Sequence, residues 1–521
     1  MNRTKAIQAI DENSEFDVIV IGGGASGIGI ALDATLRGYR TLLVEKFDFA
    51  KGTSSRSTKL VHGGVRYLAQ GNIQLVKEAL RERGYLKRNA PHLVKNQEFI
   101  IPNYTWWEGI FYIIGLSLYD LLAGKLSFGK SILLNSEKTR KVLPGIKEKG
   151  LKRGVLYHDG QFDDSRLAID LVHSIFEQGG FAINYFEATE ILKDESGKVA
   201  GISATDGTSN EHYKLRSSIV INAAGVWVDD ILRMDHNETK RLVIPSQGVH
   251  LVLDKSFHPG SFALMIPKTN DGRVLFAVPW HEHIIVGTTD TPLEHALDEP
   301  VAQEKEIDFI LNTASHYFKK TPQRKDVLSV FAGLRPLAAP KKATSKTKEI
   351  SRSHKILVSP SGLLTITGGK WTTYRKIAED TMNTAIRNSV LSFKPCITKS
   401  FRISGFSDES IEGDHFSVYG SRKEKILDLI LENPELGRKL HADLNYTLAE
   451  VTWICRNEMV IKLEDMLARR LRILFLNARA AVQIAPEIAV IMGKELGWSD
   501  EKINAETMAF KEIAKNYILT T

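Results

Sequence analysis

Three short apolar runs along the chain each end in a cluster of small residues, and a helical pattern follows each one. They are residues 18–21 before the glycine-rich stretch 22–27, residues 218–222 before 223–225, and residues 363–367 before Gly368 and Gly369. A short apolar run between turn-forming residues is typical of a strand that is buried on both faces of a sheet. Ligands of open α/β sheets bind at the carboxyl ends of the strands, so we expect one sheet to gather these three junctions.

Other patterns add a second sheet and a helical end to this α/β chain. Strands are predicted at residues 41–44, 249–253, 273–278 and 283–287. Residues 72–89 predict a helix that Asn72 caps and Pro91 stops. Long helical patterns dominate after Pro395. Residues 1–15 are polar and are expected to be loosely ordered, and residues 341–348 predict a basic, polar loop.

The first glycine-rich junction has the spacing of a dinucleotide-binding loop. Gly22, Gly24 and Gly27 fill the positions that allow a tight turn, close approach of a pyrophosphate and helix packing. The run at residues 41–44 ends on Glu45, where an acid is expected to meet ribose hydroxyls. Glu45 argues against a 2′-phosphate, whereas FAD and NAD both fit. The alternative is an ordinary glycine-rich turn between a strand and a helix.

Residues 106–122 form a very apolar stretch, interrupted by Glu108 and Asp120. The stretch is short for a helix that spans a membrane. Its length, its paired Trp106 and Trp107, and the lysines that follow suit a helix that lies in the membrane interface. A buried helix of a soluble domain fits equally well, and the pattern alone does not separate the two.

Composition narrows the classes of partner. The 521 residues carry a formal net charge of +7, which favours an anionic substrate or an anionic membrane surface. Nucleic acid is a third reading, but no nucleic-acid motif accompanies the charge, and no nucleic-acid partner is expected. The only cysteines, Cys396 and Cys455, form no metal-ligand pattern, so we expect no metal and a reducing compartment. Residues 1–15 lack the apolar segment of a signal peptide.

Longer motifs carry a resemblance to a known family. They lie at residues 53–68 (TSSRSTKLVHGGVRYL), 221–228, 287–290, 332–337 and 368–376 (GGKWTTYRK), and in the helical stretch 465–481. In these motifs the chain closely resembles the FAD-dependent, quinone-linked glycerol-3-phosphate dehydrogenases of the aerobic type, within the flavoprotein group that includes D-amino acid oxidase. One departure is Ser26, where this family is expected to carry Asn.

The resemblance implies an α/β fold in three parts. A Rossmann-like FAD-binding domain is expected from residues 16–90, 150–240 and 341–394. An inserted mixed-sheet domain for substrate and membrane contact takes residues 91–149 and 241–340, and an all-α C-terminal domain takes residues 395–521.

The family also implies FAD and its contacts. Expected cofactor-binding residues are Gly22, Gly24, Ala25, Ser26, Gly27, Glu45, Lys46, Thr53, Ser54, Ser55, Lys59, Leu60, His62, Gly63, Ala224, Gly225, Gly368, Gly369, Lys370, Trp371 and Thr372. The helix after Gly369 would point its positive end at the flavin, where negative charge appears on reduction. A plain helix-entry turn capped by a threonine is the simpler interpretation of that junction.

A phosphate ester needs fixed cations in its pocket. Arg335 stands in an apolar run, where either an internal carboxylate or an anionic ligand must pair it. From the residues alone these two are equal, and the resemblance favours the substrate. Arg66 and Lys370 each follow a glycine pair, and Tyr67 adds a hydroxyl, so we expect all four residues to bind substrate. Isolated cations of this kind are otherwise solvated surface charges.

Oxidation of an alcohol needs a base as well as a hydride acceptor. His250, on a predicted strand, is the candidate base and is assigned to catalysis together with Arg335. A core histidine that is satisfied by its neighbours is an equal interpretation. His62 is a second candidate, although it is expected to pack against the flavin.

The resemblance and these residues predict oxidation of sn-glycerol 3-phosphate to dihydroxyacetone phosphate through FAD, with electrons passed to a membrane quinone. We expect a cytoplasmic protein attached peripherally to the inner face of the cell membrane, and the oligomeric state stays open between monomer and homodimer. The alternatives are a glycerol-3-phosphate oxidase that uses oxygen, an amino-acid or amine oxidase of the same group, and a flavin-binding protein without activity.

Overall fold

The computed structural model describes residues 1–69, 71–236, 240–267, 269, 272–339, 354–408 and 413–520. The strands are β1 (Glu15–Ile21), β2 (Thr41–Val44), β3 (Leu60–Val61), β4 (Val94–Asn103), β5 (Ile132–Asn135), β6 (Arg153–Phe162), β7 (Phe181–Ile183), β8 (Phe186–Lys193), β9 (Val199–Asp206), β10 (His212–Asn222), β11 (Val243–Asp254), β12 (Ala263–Ile266), β13 (Leu275–Trp280), β14 (His283–Gly287), β15 (Thr291–Pro292), β16 (Val327–Ala338), β17 (Lys355–Val358) and β18 (Leu364–Thr367).

The α-helices of the described residues are α1 (Arg3–Glu12), α2 (Ala25–Leu36), α3 (Val65–Ala69), α4 (Ile73–Asn89), α5 (Trp106–Ala123), α6 (Ser136–Val142), α7 (Asp164–Glu177), α8 (Val228–Asp235), α9 (Glu304–Tyr317), α10 (Tyr374–Arg387), α11 (Lys423–Glu432), α12 (Leu448–Asn457), α13 (Ile473–Leu476), α14 (Ala478–Leu496) and α15 (Asp500–Ala514). Short 3-10 turns and one π-helical turn, Asp465–Arg470, join them.

The first sheet is the predicted nucleotide-binding sheet. Its central order is β17-β18-β10-β1-β2-β7, in which β18, β10, β1, β2 and β7 run parallel. The central positions of β1 are fully buried because both faces of the sheet are covered: Val18 and Val20 pack with helices α2, α7 and α10, and Ile19 packs with β8 and β9 together with α1 and α8. The strand order brings the carboxyl ends of β1, β10 and β18 side by side, as expected for the three glycine junctions.

The second sheet is mixed and carries the long antiparallel pair β11 and β16. The strands predicted at residues 249–253, 273–278 and 283–287 lie in it as β11, β13 and β14. It also contains β3 and β6, and β6 pairs along its whole length with β4. The sequence places residues 60–61 and 153–162 in the expected FAD-binding domain, whereas their strands lie in this second sheet. The division into domains stays a proposal.

The C-terminal helices α11–α15 share one continuous core with the helices on the first sheet, and α13 and α14 contact β16 of the second sheet. The same buried cluster holds Val18 of β1, Ile30 of α2, Leu463, and Ile473 and Ala485 of the C-terminal helices. The sequence prediction of an α/β fold with an inserted mixed sheet and an all-α end is therefore confirmed.

Two local predictions differ from the structure. Residues 1–15 are not loosely ordered, because Arg3–Glu12 form α1, in which Ala6 and Ile10 are buried one turn apart. Helix α4 follows Asn72 as predicted, but the Asn72 side chain makes no capping hydrogen bond. The predicted basic loop at residues 341–348 lies outside the described residues.

Helix α5 presents a broad apolar face to solvent. Trp107, Phe111 and Leu121 are 66%, 60% and 75% exposed, whereas Leu116 and Tyr119 are buried on the opposite side. The segment from Trp106 to Leu126 is long and apolar enough to cross a membrane by length and composition, yet only 22% of its apolar window is buried. Helix α5 is therefore not a buried core helix, which was one of the two interpretations that the sequence allowed.

The two carboxylates in this apolar stretch are used locally. Glu108 accepts the backbone N–H of Thr105 at 3.2 Å and closes a capping box at the start of α5. Asp120 accepts the backbone N–H of Ser131 at 2.6 Å. Both acids are thus engaged beside the helix and leave its exposed face apolar.

Candidate active site

A cavity of about 420 Å³ lies between the two sheets. The first sheet contributes the ends of β1, β2, β10 and β18, and the second contributes one face of β11 and β16. Of the predicted site residues, the wall includes Gly22, Gly24, Ala25, Ser26, Glu45, Lys46, Thr53, Ser54, Leu60, His62, Ala224, Gly225, His250, Arg335, Gly368, Gly369, Lys370, Trp371 and Thr372.

The first glycine loop has the geometry that its spacing predicts. A Cβ on Gly22 would lie 2.6 Å from the carbonyl oxygen of Ala223, and one on Gly27 would lie 1.8 Å from the carbonyl oxygen of Gly22. Neither position therefore accepts a side chain. Gly24 is the N-cap of α2 and makes no side-chain cap, so the positive end of this helix faces the cavity. This arrangement fits a pyrophosphate.

Glu45 follows β2 at the edge of the cavity. Its carboxylate accepts the backbone N–H groups of Gly23 at 2.6 Å and Phe47 at 2.8 Å. Burial raises its pKa, against which these two hydrogen bonds act. The remaining lone pairs of such a carboxylate are suitable acceptors for ribose hydroxyls.

The turn Thr53–Ser55 connects the glycine loop to the other walls. The Ser54 hydroxyl accepts the N–H of Ala25 at 2.9 Å, and the Ser54 carbonyl accepts the Trp371 indole at 2.8 Å. The Thr53 hydroxyl donates to the carbonyl of Leu334 in β16 at 2.5 Å. One short turn therefore fixes the positions of α2, β16 and the third glycine junction relative to each other.

Four predicted cofactor residues lie behind the wall. Gly27 and Ser55 are buried within the glycine loop and the turn, and Gly63 is buried against Tyr119. Lys59 is fully buried, and its ammonium pairs with the Asp164 carboxylate at 2.7 Å. The structure thus makes Lys59 a support for the wall, because its charge is already used by a carboxylate.

His250 lies in β11 and is buried at the cavity wall. Its Nε2 lies 2.9 Å from the Thr58 hydroxyl, and its ring stacks on Phe331 at 4.9 Å. Burial lowers the pKa of His250 well below its usual value, and the nearby Arg335 and Lys59 act in the same direction. The imidazole is therefore neutral at neutral pH and is able to accept a proton.

Arg335 lies in β16 on the same face of the sheet as His250. This follows from the register, in which Ser246 pairs with Arg335 and His250 pairs with Phe331. The guanidinium donates to the Thr289 carbonyl and the Thr288 hydroxyl, both at 3.0 Å, and lies 3.5 Å from Asp290. The sequence allowed either an internal carboxylate or an anionic ligand as the partner of Arg335. In the structure the internal carboxylate of Asp290 lies beside it.

Gly248 leaves the space that the guanidinium occupies. A Cβ at position 248 would lie 2.3 Å from Nη2 of Arg335. The Arg335 side chain remains 24% exposed, so it is presented to the cavity while its rear atoms are held by residues 288–290. Such a side chain is positioned before any anion arrives.

The third predicted cation, Lys370, approaches Tyr67. Its ammonium lies 4.0 Å from the centre of the Tyr67 ring, a cation–π contact. Lys370 reaches the cavity wall, whereas Tyr67 lies beside it in α3. The backbone of Arg66 lies in α3, and its side chain lies outside the described part of the structure.

Several wall residues were missed by the sequence analysis. They are chiefly Lys51, Arg56, Thr58, Trp227, Gly248 and Gly333. Arg56 and Thr58 lie inside the motif at residues 53–68. The charge of Arg56 and the hydroxyl of Thr58 could therefore have been proposed as site groups from the sequence. Trp227 packs near Phe47, with ring centres 6.5 Å apart, and no local pattern connects these two residues. The described residues contain no cluster of metal-ligand side chains.

Comparisons with known proteins agree with this geometry. The family model described as FAD dependent oxidoreductase matches residues 17–375, and the model described as the C-terminal domain of alpha-glycerophosphate oxidase matches residues 363–503. The chain is 38% identical to the mitochondrial glycerol-3-phosphate dehydrogenase of Bos taurus, over 97% of this chain and 74% of that protein. It is 35% identical to the mitochondrial glycerol-3-phosphate dehydrogenase of Schizosaccharomyces pombe, over 99% and 89%.

Solved structures give the same result. The glycerol-3-phosphate dehydrogenase from Bacillus halodurans, solved in complex with FAD, superposes with a TM-score of 0.80 at 30% identity. The match covers 99% of this chain and 98% of that one.

Proposed function

Since this chain belongs to the FAD-dependent oxidoreductase family and groups there with the glycerol-3-phosphate dehydrogenases, we propose that it oxidises sn-glycerol 3-phosphate with FAD and passes the electrons to a membrane quinone. The oxidation through FAD is the activity of the family. The quinone, the membrane contact and the roles of individual residues are our proposals, and each has its own support in the cavity or on the surface.

The residues of the first sheet fit the cofactor. Gly22 and Gly24 leave room for a pyrophosphate at the start of α2, and Glu45 offers acceptors for a ribose. Gly368 and Gly369 have φ angles of 75° and 95° and let Lys370 and the following turn enter the cavity. When bound, FAD supplies the acceptor for the hydride that leaves C2 of the substrate.

The observation that carries the proposal is the placement of Arg335 and His250 on one face of β11 and β16. Arg335 presents a fixed guanidinium, which binds a phosphate monoester through paired N–H groups. Lys370 adds a second cation on the opposite wall. Two cations suit a phosphate dianion, whereas one is sufficient for the carboxylate of an amino acid.

His250 is placed to take the proton. As hydride leaves C2, the C2 hydroxyl must lose its proton so that the carbonyl of dihydroxyacetone phosphate forms. A neutral imidazole at the cavity wall is a suitable acceptor, and Thr58 fixes the orientation of the ring through Nε2. Burial lowers the pKa of the ring, and Arg335 and Lys59 lower it further, so the ring is neutral in the absence of substrate.

Membrane attachment is proposed to occur through α5. Its exposed aromatic and aliphatic side chains form an apolar face that suits the boundary between lipid headgroups and acyl chains. The basic net charge of +7 favours an anionic membrane surface. A quinone is soluble in lipid, so attachment of this kind brings the enzyme to its acceptor. We propose a cytoplasmic protein bound peripherally to the inner face of the cell membrane.

One anaerobic experiment tests the reaction and the acceptor together. Glycerol 3-phosphate is added to the purified holoenzyme without oxygen while the visible flavin band is followed. We expect rapid bleaching, reversed faster by a soluble quinone analogue than by air. Bleaching that only air reverses quickly would make the protein an oxidase. An unchanged flavin band would remove glycerol 3-phosphate as the substrate and direct attention to amines and other hydroxy acids.

A further inference from the structure

Residues 46–56 form one wall of the cofactor cavity and have little regular structure of their own. They follow β2, and only the turn Thr53–Ser55 is helical. Most of them line the cavity beside Glu45 and the glycine loop. A segment of this kind loses backbone entropy for each residue that is fixed in one conformation. Its shape must therefore be held by contacts from other parts of the chain.

The strongest of these contacts is a group of buried charges that we call the arginine clamp: Asp48, Arg469 and Arg470. Asp48 is fully buried near the start of the segment. Its carboxylate accepts Nε of Arg469 at 2.5 Å and Nη1 and Nη2 of Arg470 at 2.8 and 2.9 Å. Burial alone would raise the pKa of Asp48, but Arg470 and Arg469 outweigh burial and hold the pKa below its usual value.

Both arginines come from the π-helical turn Asp465–Arg470 of the C-terminal helical segment. π-helical turns are rare in proteins, and those that occur are often found at functional sites. Arg469 also donates to Glu464 at 2.7 Å and to Asp465 at 2.6 Å. Arg470 also donates to the Glu458 carbonyl at 2.9 Å and lies 3.6 Å from the Glu458 carboxylate. Both arginines therefore keep a partner when the carboxylate of Asp48 is removed.

Two further contacts connect the same parts of the chain. The ammonium of Lys51, on the cavity wall, donates to Glu464 at 2.9 Å. Arg56, also on the wall, forms paired hydrogen bonds with Glu299 at 2.9 and 2.8 Å, and Glu299 accepts the Tyr517 hydroxyl at 2.6 Å. Asp48 and Lys51 are thus tied directly to residues 464–470, and Arg56 is connected to Tyr517 through Glu299.

We propose that the C-terminal helices hold residues 46–56 in the shape that binds FAD, with Asp48, Arg469, Arg470 and Glu464 as positioning residues. This role goes beyond the oxidation itself and gives the C-terminal segment a function in cofactor binding. When only a fraction of the molecules has the competent shape, the apparent dissociation constant rises by the inverse of that fraction.

The sign of the effect separates positioning from simple electrostatics. FAD carries a negative pyrophosphate, so the loss of a nearby carboxylate should tighten binding if charge alone matters. If the carboxylate instead holds the segment, its loss weakens binding. We therefore choose Asp48→Asn and Glu464→Gln, which remove one negative charge each and keep the side-chain shape. Glu495→Gln removes the same charge from a pair with Arg456 at the surface of the C-terminal segment and is the matched control.

The full-length variants are stripped of FAD and titrated with it, with flavin fluorescence as the readout. Hydrogen exchange of residues 46–56 is measured on the same apoproteins. We expect the dissociation constant of FAD to rise about tenfold or more for Asp48→Asn and Glu464→Gln, with faster exchange confined to this segment. Glu495→Gln should match the unchanged protein in both measurements.

Two results would overturn the proposal. One is an unchanged or smaller dissociation constant in Asp48→Asn and Glu464→Gln. The other is weaker binding that accompanies equal loss of protection throughout the C-terminal helices, which would mean that the clamp serves only the stability of the fold. If Asp48→Asn fails to fold, Glu464→Gln decides alone, because Asp48 and Asp465 remain as partners of Arg469.

Discussion

The Tyr119 hydroxyl on the inner side of α5 accepts the backbone N–H of Gly63 at 2.8 Å. The same hydroxyl donates to Asp159 at 2.8 Å, and Asp159 pairs with Arg83 at 2.7 Å. One buried side chain thus joins the apolar helix to the segment that carries His62 into the cavity. The surface proposed for the membrane and the wall of the active site share a hydrogen-bond network.

We expect Tyr119→Phe to destabilise this junction. The substitution leaves the Gly63 N–H and one oxygen of Asp159 without their best partner, which costs about 1–3 kcal/mol. The measurement is the melting temperature of the FAD-loaded protein. Tyr112→Phe, on the half-exposed side of α5, is the control and should leave it almost unchanged. Equal melting temperatures for the two variants would mean that the network adds no stability.

Arg335→Ala is expected to impair substrate use while FAD stays bound. The loss of a guanidinium that binds a phosphate reduces kcat/KM about 100-fold or more. The flavin spectrum should be unchanged, because Arg335 donates to residues 288–290, which lie outside the glycine loops. Arg324→Ala breaks an exposed pair with Glu304 and serves as the control. If Arg335→Ala loses FAD or fails to fold, the arginine is a structural partner of Asp290 instead.

The pH dependence of kcat tests His250. Burial depresses the pKa of this imidazole, so the neutral base persists when the pH falls below the usual histidine value of 6.5. We therefore expect kcat to stay level from pH 8 to below pH 6.5 and to fall only in more acidic solution. kcat is used because the substrate phosphate itself titrates near pH 6 and affects binding.

His250→Gln should lower kcat by about 100-fold or more and remove the acid limb, since general bases contribute factors of this size. Substrate binding should change less, because Arg335 and Lys370 remain. A variant that retains the acid limb and most of the rate would show that His250 is a core residue and that the base lies elsewhere, with His62 the next candidate.

Membrane binding is tested on the exposed face of α5. Changing Trp106, Trp107 and Phe111 to Ser removes three aromatic side chains, each worth about 1.5–3 kcal/mol of burial, and should weaken vesicle binding about 100-fold or more. Co-sedimentation with anionic phospholipid vesicles measures it. Changing Val390 and Phe393 to Ser, which are 90% and 74% exposed elsewhere, is the control. Unchanged binding of the α5 variant would remove this helix from the membrane contact.

The parts of the site that were predictable from sequence are those fixed by local geometry. Gly27 accepts no side chain because Gly22 of its own loop lies against it, and Gly22 accepts none because Ala223 of the second junction lies against it. The glycine spacing in the sequence reflects this constraint. Glu45 follows from the same βαβ unit, whereas the turn at residues 53–55 was expected only from the family resemblance. The alternation of His250 and Arg335 onto one sheet face needed the strand register, which no local pattern contains.

Ion pairs between residues that lie far apart in the sequence could not be predicted from it. Asp48 and Arg470 stand 422 residues apart, and neither lies in a pattern that identifies the other as its partner. Lys59 was predicted to bind cofactor from its place in a motif, yet the structure pairs it with Asp164, 105 residues later. The exposure of α5 was likewise undecided, because an apolar helix has the same composition inside a core and at a surface.

The three glycine junctions that meet at the cavity lie far apart in the sequence, so they are synthesised at different times. β1 is made early, but its neighbours β10 and β18 and the C-terminal partners of Asp48 leave the ribosome much later. The cofactor pocket is therefore incomplete until the C-terminal part of the chain has been synthesised. Binding of the flavin is then one of the last steps of maturation. A chain that stops before its final helices should accumulate without colour, with the edges of the first sheet open to aggregation.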